Sequence, residues 1–312
     1  MAVASLPLTK LRDDWSTRFD RWAQGPTTTE TEKCENAERM VRAAIASYDG
    51  LRGRSIKVFA QGSYPNRTNV RLDSDVDICV LCRDTFYPDY QLIPGASKST
   101  FGFADATYGF DELKRDVEAA LVAKFGRKAI TPGDKAFDIK ENTYRVAADV
   151  VPTFEGRLYY GTGVGDYNSG TVLQCRSNGQ LIRNWPEQHY ANGVQRHAQT
   201  NRQFKKKARC LKNLCNAMAD AGVASAKGMA SFLLESLVYN CPDAIFSQSS
   251  HYEDMKEVIR HLWHATQMAD SCREMTEVNG MKYLLHASQP WTRMAVNTFL
   301  LDAWKYVGFS DT

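Results

Sequence analysis

The chain has 312 residues, of which 43% are hydrophobic and 24% charged, and its formal net charge is +3. These values are typical of a globular protein with one large domain or two ordinary ones. So small a net charge gives no electrostatic reason to expect binding to nucleic acid or to a membrane surface. The sequence has no run of about 18 uncharged apolar residues and no recognisable signal peptide, so we expect a cytoplasmic protein.

The first elements are predicted to be one helix and two strands. Thr29 and Glu32 have the spacing of a capping box, which predicts a helix that begins there and ends at Gly50. The stretch SIKVFAQGS, residues 55–63, predicts a strand that enters a turn. The β-rich stretch DVDICVLC, residues 75–82, predicts a second strand.

The chain then changes from mixed structure to helices alone. Residues 83–106 are rich in Pro, Ser and Thr, which predicts a loop. Apolar residues at helical spacing predict a helix over 110–126, and residues 137–154 contain two predicted strands. From Pro186 onward the pattern is helical. We therefore expect an α+β fold that divides near residue 185 into a mixed half and a helical half.

Two aspartates of the second predicted strand are candidate metal ligands. Asp75 and Asp77 share one face of the strand because side-chain direction repeats every two residues. Val76 and Ile78 point the other way, into a core. Paired carboxylates on a rigid strand suit hard divalent cations, which take oxygen ligands. We assign Asp73 to the strand entry, without a role at the metal site. The alternative for the stretch that contains all three of these aspartates is an exposed acidic turn.

A third carboxylate, Asp149, lies in the apolar run from Val146 to Val151. A lone buried carboxylate is costly, so it should be paired or bound to a metal ion. If its strand lies beside the first, the three carboxylates can hold two metal ions roughly 3.5–4 Å apart. Gly62 and Ser63, in the turn before them, would let the backbone and a hydroxyl group approach phosphate oxygens.

Four stretches of the sequence together resemble a known family. The paired aspartates with a later third one resemble the DNA polymerase β-type nucleotidyltransferase superfamily. The wider set resembles its bacterial cGAS/DncV-like members (CD-NTases), and among them the E clade. The resemblance extends from the helix start at Thr27 to Pro242, with a weaker C-terminal tail. The stretches are QGSYPNRTNVRLDSDVDI, ADVVPTF, NWPEQHYANGV and SFLLESLVYNCP.

The resemblance implies both a fold and an activity. The fold would be a polymerase β-like core with a mixed sheet and a long N-terminal helix in residues 1–185, and an α-helical lobe in residues 186–312. The active site would lie in the cleft between them. The enzyme would join nucleoside triphosphates, with release of pyrophosphate, into a cyclic dinucleotide or trinucleotide signal for antiphage (CBASS) defence.

The same resemblance carries over the first site residues. Asp75, Asp77 and Asp149 would be catalytic ligands of two Mg²⁺ or Mn²⁺ ions. Gly62 and Ser63 would contact the phosphates of the donor nucleotide.

A basic helix, NRQFKKKARCLKNLCNAM, is the second candidate for phosphate binding. Lys205, Arg209 and Lys212 lie on one of its faces. A row of like charges is unfavourable without an anion opposite it, and in the family these positions approach the triphosphate. Ser231 matches a family serine that reaches the same phosphates. The alternatives are a solvated basic face and, for Ser231, a helix N-terminal serine.

Asn184 is the candidate for base specificity. Its amide has a donor and an acceptor and can pair with the edge of uracil. The alternative is a turn asparagine ahead of a helix whose first turn contains Pro186. In the E clade an asparagine at this position resembles the feature associated with pyrimidine use. UTP is therefore the favoured substrate, with ATP, and the product would be cyclic UMP-AMP or cyclic di-UMP.

The expected partners are few, and two other functions compete with this hypothesis. We expect a monomer that reaches its effector through the cyclic product and that binds neither nucleic acid nor membrane. One rival is a nucleotidyltransferase that makes a linear product or modifies RNA, a small molecule or a protein. The other is a nucleotide-binding scaffold that has lost activity. The presence of all three aspartates counts against this second rival.

Overall fold

The computed structural model describes residues 8–70 and 75–310. Asp73 lies outside the described residues. The described chain divides into two compact units. The sheet unit consists of residues 27–65 and 75–187, and the helical unit of residues 8–26, 66–70 and 188–310.

Residues 8–26 and 66–70 thus belong to the helical unit, whereas a boundary at residue 185 would assign both segments to the mixed half.

Helices account for most of the regular structure in the described chain. Their bounds are α1 (Leu8–Trp22), α2 (Thr28–Ser47), α3 (Ser63–Asn66), α4 (Phe110–Phe125), α5 (Pro186–Gln199), α6 (Phe204–Asp220), α7 (Ser231–Tyr239), α8 (His251–Ala265), α9 (Ala269–Cys272) and α10 (Arg293–Val307). Among the described residues, none of these helices has both the length and the apolar composition that crossing a membrane requires.

The strands of the described chain form one mixed sheet in the order β1-β2-β5-β4-β3, and β6 joins β5 to β7. Only β2 and β5 pair in parallel among these strands. The bounds are β1 (Ile56–Gln61), β2 (Val76–Asp89), β3 (Ile130–Pro132), β4 (Phe137–Ile139), β5 (Ala148–Tyr159), β6 (Tyr167–Gln174) and β7 (Leu181–Asn184).

The core of the sheet unit forms between the sheet and the helices α2 and α4. Val76 and Ile78 of β2 are fully buried, as the alternating pattern predicts, and so are Leu113 and Val117 of α4. Burying such side chains contributes about 1.5–3 kcal/mol each. This packing fixes β2 in the middle of the sheet and leaves the alternate side chains of the strand to face away from the core.

Two local predictions in the sheet unit need correction. The cap of α2 is Thr27, two residues earlier than expected, because Thr27 and Glu30 form the reciprocal hydrogen bonds of the capping box. The stretch TTTETE offers overlapping matches to this motif, so spacing alone did not select the right one. β2 also continues to Asp89, past the predicted strand end, since its pairing with β5 resumes beyond a register shift between Cys82 and Phe86.

The helical unit has its own apolar core, to which the N-terminal helix contributes. Trp15 and Phe19 of α1 are buried in the same cluster as Phe204 and Leu211 of α6 and Phe299 of α10. The sequence pattern gave no prediction for α1. Its packing explains why the described residues up to 26 group with the C-terminal helices.

Candidate active site

The strands that carry the predicted catalytic aspartates are neighbours in the sheet. Their parallel register pairs Asp77 of β2 with Asp149 of β5, and neighbouring strands lie about 4.8 Å apart. Asp75 immediately precedes the first residue of β2. The fold therefore brings Asp149 beside Asp75 and Asp77 although it lies far from them in the sequence, as expected if the two strands are adjacent.

Gly62 is required at the end of β1, which pairs with β2. The last residue of β1, Gln61, is the register partner of Asp77. Gly62 follows with φ +73°, and an added Cβ would lie 2.5 Å from Asp77 Oδ2. A side chain here would strain the backbone and collide with the carboxylate. Ser63 comes next as the first residue of α3 and is half-buried.

The carboxyl groups of this cluster raise one another's pKa. Burial raises the pKa of Asp77 to about 6, and the charge of Asp75 adds to the effect. Burial also raises the pKa of Asp149 to about 7, with Asp75 and Asp77 as the next causes. The pKa of Asp75 is raised by burial and then by Asp138 and Glu141. The ionised cluster therefore lacks compensating positive charge, which a bound cation would supply.

Asp138 is a member of this cluster that the sequence prediction missed. It lies on β4 and is the register partner of Asp149, and its charge is a further cause of the raised pKa of Asp149. Phe137 and Ile139 on either side are buried while Asp138 is exposed. This alternation was visible in the sequence, but a strand of three residues is too short for the pattern to stand out.

The donor set fits a divalent cation in its chemistry, since Mg²⁺ and Mn²⁺ prefer carboxylate oxygens. As the side chains stand, no three His, Cys, Asp or Glu residues of the described chain are arranged to hold one ion together. Because like charges repel, the carboxylates stand apart when no cation lies between them. Binding of a cation by the full set therefore requires a change of carboxylate rotamer. The register of β2 and β5 keeps the backbone positions of Asp77 and Asp149 adjacent.

Asn184, the predicted base-specificity residue, ends β7 in the sheet unit. Its backbone oxygen accepts a hydrogen bond from Thr171 Oγ1 at 3.5 Å. A Cβ at Gly170 would lie 2.6 Å from the same oxygen, so the two strands approach closely here. The backbone of Asn184 is thereby fixed, and its side chain is partly exposed ahead of the buried Trp185.

The predicted phosphate-binding residues of α6 belong to the helical unit and are not a solvated face. Lys205, Arg209 and Lys212 are all at most 7% exposed. The Arg209 guanidinium donates hydrogen bonds to the backbone oxygens of Ala23 and Arg67. Arg209 thus holds two chain segments of its own unit, which the sequence prediction did not foresee.

Lys212 is the centre of a buried polar network. Its ammonium group lies 2.5 Å from Glu235 Oε2 and donates to the Thr68 backbone oxygen and hydroxyl group at 3.2 Å. Thr68 itself donates to Glu235 Oε2 at 2.6 Å, and His189 lies 3.1 Å from Glu235 Oε1. Lys212 therefore uses its charge inside the helical unit and fastens the segment 66–70 to α6 and α7.

Lys205 differs from its two neighbours on the helix. Burial lowers its pKa, the acid Glu235 opposes this, and the cations Arg209 and Arg67 lower it further. Its ammonium group lies 5.9 Å from the centre of the Tyr190 ring. The surroundings of Lys205 are therefore rich in positive charge, an environment suited to an anion.

Ser231 is the first residue of α7, and its side chain is exposed. The residue at the cap position is Ala230, and no side-chain hydrogen bond caps this helix. Ser231 is therefore a helix N-terminal serine, as the alternative has it, although the cap position itself belongs to Ala230. Its hydroxyl group lies at a helix N-terminus, where backbone N–H groups favour anions.

Comparison with known proteins gives the family. A model of the cGAS/DncV-like nucleotidyltransferase C-terminal helical domain matches residues 191–308. The cyclic dipyrimidine nucleotide synthase CdnE of Legionella pneumophila is 43% identical, over 94% of this chain and 98% of its own. The chain belongs to the bacterial CD-NTases, in their E clade.

A second relative and a solved structure agree with this membership. The cyclic dipyrimidine nucleotide synthase CdnE of Cecembia lonarensis is 40% identical, over 92% of this chain and 96% of its own. The Rhodothermus marinus CdnE c-UMP-AMP synthase, solved with Apcpp and Upnpp, has a TM-score of 0.80 at 28% identity and covers 99% of both chains.

Membership of the CD-NTase family confirms the predicted polymerase β-like core with a helical C-terminal lobe. The protein is a nucleotidyltransferase. Membership also implies that activity depends on a divalent metal ion.

Proposed function

We propose that this CD-NTase joins UTP with itself or with ATP into a cyclic dinucleotide and releases pyrophosphate. The observation that carries the proposal is the pairing of Asp77 with Asp149 beside Asp75, in a chain whose relatives at 43% and 40% identity are cyclic dipyrimidine nucleotide synthases. The product would be cyclic di-UMP or cyclic UMP-AMP. It would act as a cytoplasmic second messenger that reaches its effector in antiphage (CBASS) defence.

The three aspartates would hold two Mg²⁺ or Mn²⁺ ions. Bound there, the ions would supply activation of the attacking ribose hydroxyl and neutralisation of triphosphate charge. Asp77 and Asp149 are fixed by the sheet, so the protein would position the reacting groups on rigid strands rather than on loops. Gly62 leaves room beside Asp77 for the backbone and Ser63 to approach phosphate oxygens.

The helical unit would add positive charge for the triphosphate, and Lys205 is the best candidate. Its surroundings already contain an excess of cations, whereas Lys212 is neutralised by Glu235. Ser231 would donate its hydroxyl group to the same phosphates. Arg209 and Lys212 would act on the nucleotide mainly by holding the segments that they contact.

Asn184 would select the base. The backbone of this residue is held by the close approach of Gly170, so the partly exposed amide would start from a fixed backbone position. Both groups are needed to pair with the O4 and N3–H edge of uracil. The protein would act as a monomer, without nucleic acid or membrane.

Product form provides the direct test. The protein is incubated with each labelled nucleoside triphosphate and Mg²⁺ or Mn²⁺, and the products are treated with phosphatase. A cyclic product keeps its label because it has no terminal phosphate. A linear dinucleotide keeps the label of its internal phosphodiester but loses its terminal phosphates. A product whose chromatographic position shifts on phosphatase treatment is therefore linear, and the protein is then the rival kind of nucleotidyltransferase.

The residue assignment is tested with Asp77→Asn and Asp149→Asn. Each variant should lose at least about 100-fold in rate, since each would remove a ligand from the metal site. Asp105→Asn, which removes the same charge from an exposed loop, should retain full activity. Product formation by Asp77→Asn at the wild-type rate would contradict the assignment.

A further inference from the structure

Asp138 lies in the carboxylate cluster beside the three predicted ligands. Asp138 and Asp149 face each other directly on the antiparallel strands β4 and β5. In such a pair the Cβ atoms are about 4.5–5.5 Å apart, and like charges in this arrangement destabilise a sheet.

The fold itself does not need an acid at this position. The apolar contacts of β4 come from Phe137 and Ile139, which are each 1% exposed. Asp138 lies between them on the exposed side of the strand, where any polar residue would satisfy the pattern. An acid placed opposite Asp149 thus costs stability that a neutral residue such as asparagine would not.

We propose that Asp138 is a fourth carboxylate of the cation site and strengthens its affinity for divalent metal ions. This inference rests on the proposed function, because it assigns a further oxygen donor to the same metal site. A fourth ionised carboxylate adds one oxygen donor and one negative charge to a site for two divalent cations. Asp138 faces Asp149 across the strand pair, and its exposed side chain can turn its oxygen atoms toward bound cations.

The test measures Mn²⁺ binding by Asp138→Asn and by the wild type, with and without a non-hydrolysable UTP analogue. Isothermal titration calorimetry gives the dissociation constant, which should rise about tenfold in the variant. In EDTA the variant should unfold at a temperature about 1–2 °C higher than the wild type, since a like-charge pair has been removed. Asp105→Asn is the control and should change neither value.

The outcomes separate this inference from the proposed function. If the wild type binds Mn²⁺, Asp77→Asn does not, and Asp138→Asn binds within about twofold of wild type, the role of Asp138 is overturned while the metal site stands. A higher unfolding temperature with unchanged affinity would also overturn it, because Asp138 would then be only a repulsive neighbour. If the wild type binds no Mn²⁺ under either condition, the metal assignment falls as a whole.

Discussion

Lys212 and Glu235 form an ion pair in the helical unit, with Nζ and Oε2 2.5 Å apart and neither side chain more than 4% exposed. Thr68 and His189 supply further hydrogen bonds to the same carboxylate. A buried pair with this many partners is costly to break, because the remaining charge would be left uncompensated.

Lys212→Met should therefore lower the free energy of unfolding by about 3–5 kcal/mol. Lys206→Met, on the same helix but at a partly exposed position, should change it by less than about 0.5 kcal/mol. Urea denaturation followed by circular dichroism measures both. If Lys212→Met unfolds like the wild type but binds UTP more weakly, Lys212 serves the nucleotide rather than the fold.

The same pair predicts a dependence of stability on pH. Burial alone would raise the pKa of Glu235, but Lys212 and His189 outweigh it and hold this pKa well below its ordinary value. A folded-state pKa below the unfolded one contributes stability that is present above the unfolded value, about 4.3, and is lost as the pH falls. Between about pH 6 and pH 3 the wild type should lose more stability than Glu235→Gln. Equal losses in urea titrations at these pH values would contradict the assignment.

Gly62→Ala should reduce activity by more than about tenfold, because it adds a collision with Asp77 to an unfavourable φ. Gly53→Ala is a matched control, since Gly53 has φ +78° with nothing within 4 Å of an added Cβ. Gly53→Ala should lower the free energy of unfolding by about 1 kcal/mol and Gly62→Ala by at least as much, but only Gly62→Ala should lose activity. Steady-state rates and urea denaturation distinguish the two effects. Equal activity in the two variants would show that the space beside Asp77 is not needed.

Asn184→Ser should shift nucleotide use from UTP toward purine triphosphates, since serine cannot satisfy both a donor and an acceptor of uracil. A loss of about 1–3 kcal/mol in discrimination is expected for such a contact. Competition between labelled UTP and ATP measures the change. Asn168→Ser, on the neighbouring strand β6, should leave the ratio as it is. An unaltered ratio in Asn184→Ser would show that Asn184 does not select the base.

The strands that carry the three aspartates could be predicted because their signal is local. Apolar residues alternate with Asp75 and Asp77 along β2, and Asp149 interrupts an apolar run. α1 also had a signal that was overlooked, since Trp15, Phe19 and Trp22 follow helical spacing.

The partners of the basic helix could not be predicted. Arg209 and Lys212 contact Arg67 and Thr68, which are more than a hundred residues earlier in the chain. An ion pair or hydrogen bond between distant segments leaves no spacing in the sequence. For that reason the row of lysine and arginine residues on one helical face predicted contacts with phosphate. In the structure, two of these residues, Arg209 and Lys212, form hydrogen bonds with their own chain.

The segment Asn66–Val70 limits how this protein can be divided into fragments or combined with a related enzyme. It lies in the sequence between Gly62 and Asp75, yet it is part of the helical unit. A cut after residue 187 would thus divide the helical unit, because its residues 8–26 and 66–70 would stay on the fragment that carries the sheet unit. Exchanging specificity with a related enzyme will therefore require grafting individual side chains, such as the one at Asn184, rather than swapping contiguous halves of the polypeptide.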